Sequence, residues 1–298
     1  MRLCAFAGIS FYLSAAAQRP PKPDSYGPPA TIATIKDESI SESSGLAASR
    51  LTPGAYWTHN DDGAFIYAFG NRGDSLGVFR VAGAEARDWE DIAAGPGPQA
   101  DKPYLYIGDI GDNNSSRKEI VVYRIPEPPL TTATRKFNKT QPGTTEPAEA
   151  MRLRYPDGAH DAEALLVHPA TGYIYIVTKV LIEDPSIYEA APPFAEDKPI
   201  TMTRIGTVHV PSLFGGVITG GSISPDGRLI ALCDYFQGYE LALPAGSENF
   251  NDIWKQKMAS FDLGKRKQGE AITYRLDGKA LLATSEGKQS PLIQVERR

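Results

Sequence analysis

The feature that most restricts the fold of this chain is a short strand unit that recurs along most of its 298 residues. Each unit starts with an acidic or small residue and continues into an aliphatic strand. The five units are centred on Leu46, Ile92, Leu165, Ile223 and Ile272, at intervals of 46 to 73 residues. Strand repeats of this period are typical of β-propeller blades, and insertions account for the longer intervals.

A second apolar strand follows each first strand after a tight turn. Proline, aspartate and glycine stand where tight turns require them, as at 224–227 and 275–278. The predicted second strands are 55–58, 104–107, 173–177, 229–232 and 280–283. Further strands are predicted at 65–69, 77–81, 120–125 and 151–155, and the Thr/Pro-rich stretch 126–150 is predicted to be a surface loop.

The two ends of the repeat predict how the ring closes. The last unit shows three strands, ending with 292–295, whereas 31–35 has no partner in the first unit. If 31–35 completes the last blade, the protein is an all-β propeller of five four-stranded blades without an open edge. A six-bladed ring, with strands hidden in 126–150 or 241–262, and a two-sheet sandwich are the alternatives.

The N-terminal residues have the pattern of a targeting segment. Arg2 precedes the apolar stretch 4–13, and small residues at Ala15 and Ala17 suit a cleavage site. We therefore expect a signal peptide at 1–17, a Pro-rich linker at 18–29 and a single propeller domain at 30–298. The expected location is secreted or periplasmic.

Composition excludes some classes of function. The formal net charge of −5 provides no basic stripe for nucleic acid. No segment after the leader is apolar enough to be a transmembrane span, and we expect a monomer. Cys4 lies in the leader, so Cys233 is left without a disulfide partner and is predicted to be a buried apolar residue.

Acidic side chains recur where the first strands begin and where the second strands end. Because these positions meet at one mouth of a propeller channel, they are the candidate site. The first-strand residues are Glu90, Glu163 and Glu270, and the second-strand ends supply Asn60, Asp61, Asp109, Lys179, Asp234 and Glu286. The predicted ligand-binding residues are Asn60, Asp61, Lys179, Asp234 and Glu286. Convergent carboxylates repel each other unless a cation, a base or a shared proton neutralises them. Calcium, a network of structural hydrogen bonds and a metal-free acid–base pair remain open explanations.

The loop 108–113 is a second candidate for calcium. Asp109, Asp112 and Asn113 are oxygen donors in close spacing, although an Asx-stabilised turn explains the same residues without a metal. The predicted metal ligands are therefore Glu90, Asp109, Asp112, Asn113, Glu163 and Glu270. For catalysis, His160 beside Asp161 is the better-placed histidine and would act with Glu163, and His59 is the other candidate base.

Several motifs resemble those of a family of exported bacterial β-propellers. They are Glu42–Leu46, Trp57–Asp61, Asp88–Ala93, Tyr106–Asn113 and Asp161–Leu165. The run 268–272 is also similar to motifs of β-propeller phytases and phytase-like esterase domains. These resemblances imply an exported propeller, often with calcium, and do not fix a substrate. The chain has no phytase set of basic phosphate-binding residues, and it resembles gluconolactonase and paraoxonase propellers in layout only.

Two functions follow as hypotheses. The first is a binding module for a small molecule, a glycan or an envelope protein, because no complete catalytic constellation is visible. The second is a metal-dependent hydrolase that acts on an ester, lactone or phosphoester at the channel mouth. The sequence leaves open whether the protein is an enzyme.

Overall fold

The computed structural model describes residues 25–194, 198–212 and 216–298. The predicted signal peptide, 1–17, and the first part of the predicted linker, 18–24, lie outside the described residues. The described chain is built of β-strands, with short 3₁₀ helices at Thr134–Lys136 and Phe250–Lys255. Within that part of the chain, no helix has the length and apolar character needed to span a membrane.

The strands of the described residues are numbered in chain order. The first eight are β1 (Ala30–Thr34), β2 (Ala47–Ala48), β3 (Ala55–His59), β4 (Phe65–Gly70), β5 (Ser75–Arg80), β6 (Trp89–Gly95), β7 (Tyr104–Asp109) and β8 (Ile120–Pro126). The next seven are β9 (Gly143–Thr144), β10 (Glu149–Arg154), β11 (Ala162–Val167), β12 (Ile174–Thr178), β13 (Ser186–Ala190), β14 (Ile200–Thr201) and β15 (Thr203–Thr207). The last seven are β16 (Gly220–Ile223), β17 (Leu229–Cys233), β18 (Gln237–Ala242), β19 (Ala259–Asp262), β20 (Ala271–Tyr274), β21 (Ala280–Thr284) and β22 (Pro291–Glu296).

These strands form five blades, each with four antiparallel strands. From the channel outwards the blades are β2–β5, then β6, β7, β8 and β10, then β11, β12, β13 and β15, then β16–β19, and finally β20, β21, β22 and β1. We call them blades 1 to 5 in that order. The inner strands β2, β6, β11, β16 and β20 pack around a central channel. The prediction of a five-bladed propeller is confirmed, and the six-bladed and sandwich alternatives are wrong.

The N-terminal strand closes the ring, as the strand count predicted. β1 pairs antiparallel with β22, so that Ala30 lies opposite Gln294 and Thr34 opposite Pro291. The Ile35 N–H then donates to the Ser290 carbonyl oxygen at 2.9 Å. The Ile35 side chain is buried in the apolar layer between blades 5 and 1. The closure therefore consists of hydrogen bonds within blade 5 and of packing against blade 1.

The hydrophobic core lies between the blades. Each of five apolar clusters fills the contact between two neighbouring blades. Successive residues of a strand point to opposite faces, so Ile174 and Ile176 of β12 pack towards blade 2, whereas Tyr175 and Val177 pack towards blade 4. Both faces of each central strand are buried, which explains why these strands are continuous apolar runs rather than alternating ones.

Two short strands add to the edge of a preceding blade. β9, within the predicted loop 126–150, pairs parallel with β5 of blade 1. β14, from the connection between the outer strands of blade 3, pairs parallel with β10 of blade 2. The stretch 126–150 is therefore a loop of blade 2 that also covers the outer edge of blade 1.

The last residues of the predicted linker pack on the propeller. The Tyr26 ring stacks on Phe261 with 4.4 Å between ring centroids, and the Gly27 N–H donates to the Glu296 carbonyl oxygen at 2.8 Å. Residues 26 and 27 of the predicted linker 18–29 thus pack on the propeller, because Tyr26 occupies an apolar position between blades 4 and 5.

Candidate functional site

Five carboxyl groups converge at one end of the central channel. Glu90 and Glu163 are the second residues of β6 and β11, and Glu270 directly precedes β20. Asp61 and Glu286 come from the segments that follow β3 and β21. We call these five residues the acidic mouth. They lie close enough together that the charge of Glu270 contributes to the raised pKa values of Asp61, Glu163 and Glu286.

Ser44 links two members of the acidic mouth. In blade 1, Ser44 occupies the position at which blades 2, 3 and 5 have a glutamate. Its hydroxyl hydrogen-bonds to Asp61 and lies 3.3 Å from Glu270 Oε2. The Gln268 amide donates to the other oxygen of Glu270 at 2.8 Å. Neutral donors thus hold these carboxyls in place without neutralising them.

Burial shifts the acid–base behaviour of the acidic mouth. Burial, followed by the nearby charge of Glu163, raises the pKa of Glu90 to about 11. Burial raises the pKa of Asp61 to about 7, and burial with the neighbouring Glu270 raises the pKa of Glu286 to about 8. The acidic mouth therefore holds protons near neutral pH, and a bound positive charge would displace them.

Lys179 brings a positive charge to this cluster. Its ammonium group forms an ion pair with Glu163, and it lies 5.4 Å from the centre of the Tyr235 ring. Interaction with Glu163 keeps the pKa of Lys179 above its ordinary value, although burial opposes this. Burial raises the pKa of Glu163 to about 8 even though Lys179 acts in the opposite direction. Lys179 thus lies at the channel mouth, where its ammonium group is held between the carboxyl of Glu163 and the face of the Tyr235 ring.

A pocket of about 450 Å³ opens beside this ion pair. It lies between blades 3 and 4, and its lining is partly acidic and partly apolar. The lining residues are Asp161, Lys179, Val180, Leu181, Val217, Asp234, Tyr235 and Phe236. A ligand in this pocket would contact the acidic mouth through Lys179.

Asp91 is a buried carboxyl that the sequence did not single out as a site residue. Its Oδ2 accepts the Leu165 N–H of blade 3 at 3.0 Å and the Gly221 N–H of blade 4 at 3.2 Å. Its Oδ1 accepts the Ile92 N–H at 2.8 Å. Burial raises the pKa of Asp91 well above its ordinary value, although these three N–H donors oppose the shift. Asp91 therefore connects blades 2, 3 and 4 through hydrogen bonds to their backbones. A structural hydrogen-bond network, one of the explanations for the glutamates, is formed here by Asp91.

The loop 108–113 is organised by Arg117. The Arg117 Nη1 lies 2.7 Å from Asp109 Oδ1, and the Arg117 N–H donates to Asp112 Oδ2 at 2.7 Å. Asn113 is exposed. A guanidinium therefore already neutralises Asp109, and the acidic mouth does not include these three residues. Calcium binding by this loop stays a prediction.

Two of the predicted ligand-binding residues have structural partners. Asn60 Oδ1 accepts the N–H groups of Ser41 and Glu42, each at 3.1 Å, so it fixes the chain that enters blade 1. Asp234 Oδ1 accepts the Phe236 N–H at 2.8 Å, and Oδ2 accepts the Tyr239 hydroxyl at 2.5 Å. Asp234 still lines the pocket, whereas Asn60 is buried.

The candidate histidines lie in different surroundings. His160 Nε2 lies 3.0 Å from Asp157 Oδ1 and 2.9 Å from the Tyr188 hydroxyl, and no contact joins it to Glu163. His59 is fully buried, and burial lowers its pKa to about 4. His160 thus hydrogen-bonds in a cluster with Asp157 and Tyr188, whereas Glu163 pairs with Lys179. A catalytic role for His160 with Glu163 stays a prediction.

No group of three or more His, Cys, Asp or Glu side chains within the described ranges is arranged to hold a metal ion. The carboxyls of the acidic mouth offer the oxygen donors that calcium prefers, but they are not assembled into a ready-made ligand set. A metal would require them to lose protons and to move together. The prediction of calcium at Glu90, Glu163 and Glu270 stays a prediction.

Comparisons with known proteins identify no family for this chain. No family model matches the chain, and no curated protein matches it. Among solved structures, one similar chain belongs to the crystal structure of a nidogen/laminin complex. It is 13% identical, with a TM-score of 0.43, and the match covers 82% of this chain and 73% of that chain.

Proposed function

We propose that the protein is a binding propeller that takes up a positively charged group of its ligand at the acidic mouth. The observation that supports this is the set of converging carboxyls whose pKa values are raised by burial and, to a smaller extent, by the negative charges of one another. Such a cluster is unfavourable by itself and becomes favourable when a cation enters. A rigid five-bladed ring is a suitable platform for binding.

The group that best suits the acidic mouth is an organic cation, such as an amine or a guanidinium. Lys179 already places an ammonium between Glu163 and the face of Tyr235. An ammonium or guanidinium can donate several hydrogen bonds to carboxyls that are spread apart, whereas calcium needs six to eight oxygen atoms within about 2.6 Å. Calcium remains the alternative cation.

Titration calorimetry tests this proposal. The probes are n-butylammonium chloride, arginine amide and calcium chloride, each titrated at about pH 6 and about pH 8.5. Because the cation must displace protons, binding should strengthen as the pH rises through the pKa of about 8 of Glu163 and Glu286. The heat should also depend on the ionisation enthalpy of the buffer, since protons are released.

Variants separate the acidic mouth from the rest of the surface. The double variant Glu163→Gln with Glu270→Gln should weaken cation binding about tenfold or more. Glu146→Gln removes an exposed carboxyl from the loop before β10 and should leave binding unchanged. Equal affinity in all three proteins, or no binding of any probe, would contradict the proposed function.

A metal-dependent hydrolase is the second candidate function. It is favoured by the presence of several carboxyls that exchange protons near neutral pH, a property of general acids and bases. Hydrolysis of ester, lactone and phosphoester substrates, measured with and without a chelator, tests it. Turnover that is lost in Glu163→Gln, in a protein that remains folded, would favour the enzyme over the binding module.

Export belongs to the proposal as well. The pattern of residues 1–17 and the resemblance to exported bacterial propellers both support a secreted or periplasmic location. Fractionation of cells that express the full chain, with mass analysis of its N-terminus, is the test.

A further inference from the structure

Large apolar side chains are exposed beside the acidic mouth. Leu181 is 66% exposed, Ile182 86% and Phe236 66%. Leu181 and Phe236 both line the pocket between blades 3 and 4, and Ile182 is the next residue in the chain. We call these three residues the apolar rim. In the described part of the chain the other exposed large apolar side chains are Leu51, at 46%, and Ile32, at 39%, so the three most exposed ones all belong to the apolar rim.

The pocket lies beside both the apolar rim and the ion pair of Lys179 with Glu163. Lys179 lies in the pocket wall and forms the ion pair with Glu163. Tyr235 lines the same pocket and presents its ring to Lys179, while its neighbour Phe236 is exposed at the edge. Apolar contact area and negative charge are therefore adjacent on one surface.

We propose that this surface binds an extended segment of a partner protein in which a lysine or arginine lies next to large apolar residues. The basic side chain enters the pocket beside Asp161 and Asp234 and approaches the carboxyls of the acidic mouth that Lys179 leaves unpaired. The apolar residues of the segment cover Leu181, Ile182 and Phe236. The inference rests on the proposed function, because it identifies the cation as a side chain of a protein.

Two physical reasons favour this occupant. A small amine would satisfy the carboxyls but would leave the apolar rim in water, whereas a peptide removes both unfavourable features together. A lipid surface would also cover apolar side chains, but anionic headgroups would be repelled by the acidic mouth. Charge complementarity thus selects a basic peptide.

Selection from a random peptide library on the immobilised full chain is the experiment. The selected peptides should be enriched in lysine or arginine within two positions of an aromatic or aliphatic residue. One enriched peptide is then synthesised, labelled and titrated by fluorescence anisotropy at low and high salt. Binding should weaken at high salt, because part of it is electrostatic.

Three variants locate the bound peptide. The double variant Leu181→Ser with Phe236→Ser should weaken binding about tenfold or more, because it removes the apolar contacts. Glu163→Gln with Glu270→Gln should weaken it by a similar factor. Leu51→Ser, which removes an exposed leucine from the turn between β2 and β3, is the matched control and should have no effect. Thermal unfolding of each variant checks that it is folded.

The outcomes distinguish this inference from the function on which it rests. If peptide binding depends on the glutamates but not on the apolar rim, the cation site stands and the docking surface is wrong. If small cations do not bind and the glutamate variant has no effect, the proposed function fails. No enrichment, or enrichment without basic residues, overturns the inference. A dimer that light scattering shows to be lost in Phe236→Ser would mean that a second copy covers the rim, and would also overturn it.

Discussion

Glu90 should make the propeller less stable as the pH rises. Its pKa is raised to about 11 in the folded protein by burial and then by Glu163, against 4.5 for an ordinary glutamate. Between these values the folded protein retains a proton that the unfolded chain has released. Stability is therefore fully present below the unfolded pKa and is lost as the pH rises towards the folded pKa. Glu90→Gln replaces the carboxyl by a neutral amide and removes the contribution of Glu90 to this dependence.

The size of the effect follows from the proton difference. One proton corresponds to about 1.4 kcal/mol per pH unit, so a rise from about pH 5.5 to about pH 7.5 lowers the free energy of unfolding by about 3 kcal/mol. For a domain of this size that corresponds to a fall in Tm of about 6–10 °C. The raised pKa values of Glu163 and Glu286 act in the same direction.

Circular dichroism melts of the two proteins across that pH range provide the measurement. The wild-type Tm should fall with pH. The Glu90→Gln Tm should fall less, by the share of one proton, because the raised pKa values of Asp61, Glu163 and Glu286 still act, and it should exceed the wild-type value at the upper end. Glu146→Gln is the control and should follow the wild-type curve. A wild-type Tm that stays constant or rises, or a Glu90→Gln curve parallel to it, would refute the burial argument for Glu90.

Three other changes test the packing of the ring. Asp91→Ala should lower the free energy of unfolding by about 3–6 kcal/mol in urea titrations, because three buried N–H groups lose their acceptor. Asp91→Asn retains one oxygen and should lower the free energy of unfolding by less. Equal losses in the two variants would contradict this role of Asp91. Removal of residues 25–35, compared with a chain that starts at residue 25, should cause aggregation or a large fall in Tm by calorimetry, and an unchanged melt would show that β1 does not close the ring. Gly45→Ala should cost about 1–3 kcal/mol in the same urea assay, since its Cβ would lie 2.5 Å from the Ile92 backbone nitrogen; no loss would mean that the two inner segments separate easily.

The sequence was sufficient to predict the blades because both faces of every central strand are buried. That requirement produces apolar runs such as β12 and β17, bounded by turns, and these runs can be recognised without a structure. The closure by β1 could also be predicted, because the last unit is one strand short and 31–35 has no partner in the first unit. The short strands β9 and β14 could not, since two residues carry no pattern and their pairing depends on the neighbouring blade.

The candidate site was only partly predictable. Glu90, Glu163 and Glu270 occupy corresponding positions in their units, so their convergence follows from the repeat. The structural role of Asp91 does not follow from the repeat, because its partners lie in blades 3 and 4. Only the closed ring brings their N–H groups to Asp91. The one sequence feature that marks Asp91 is its position directly before Ile92, within the first strand of blade 2. Likewise, nothing in the local sequence shows that Arg117 neutralises Asp109.

The pairing of β1 with β22 has a consequence for how the molecule is made. During synthesis β1 leaves the ribosome first among the strands of the ring, and β22 leaves last. Four blades are therefore translated while blade 5 still lacks its strands and while β1 has no partner. An unpaired β1 can pair with β22 of another chain. Two nascent copies that lie close together on one messenger RNA could therefore exchange β1. The final folding step should be slow and non-local, and crowded translation is the condition under which the ring is most exposed to misassembly.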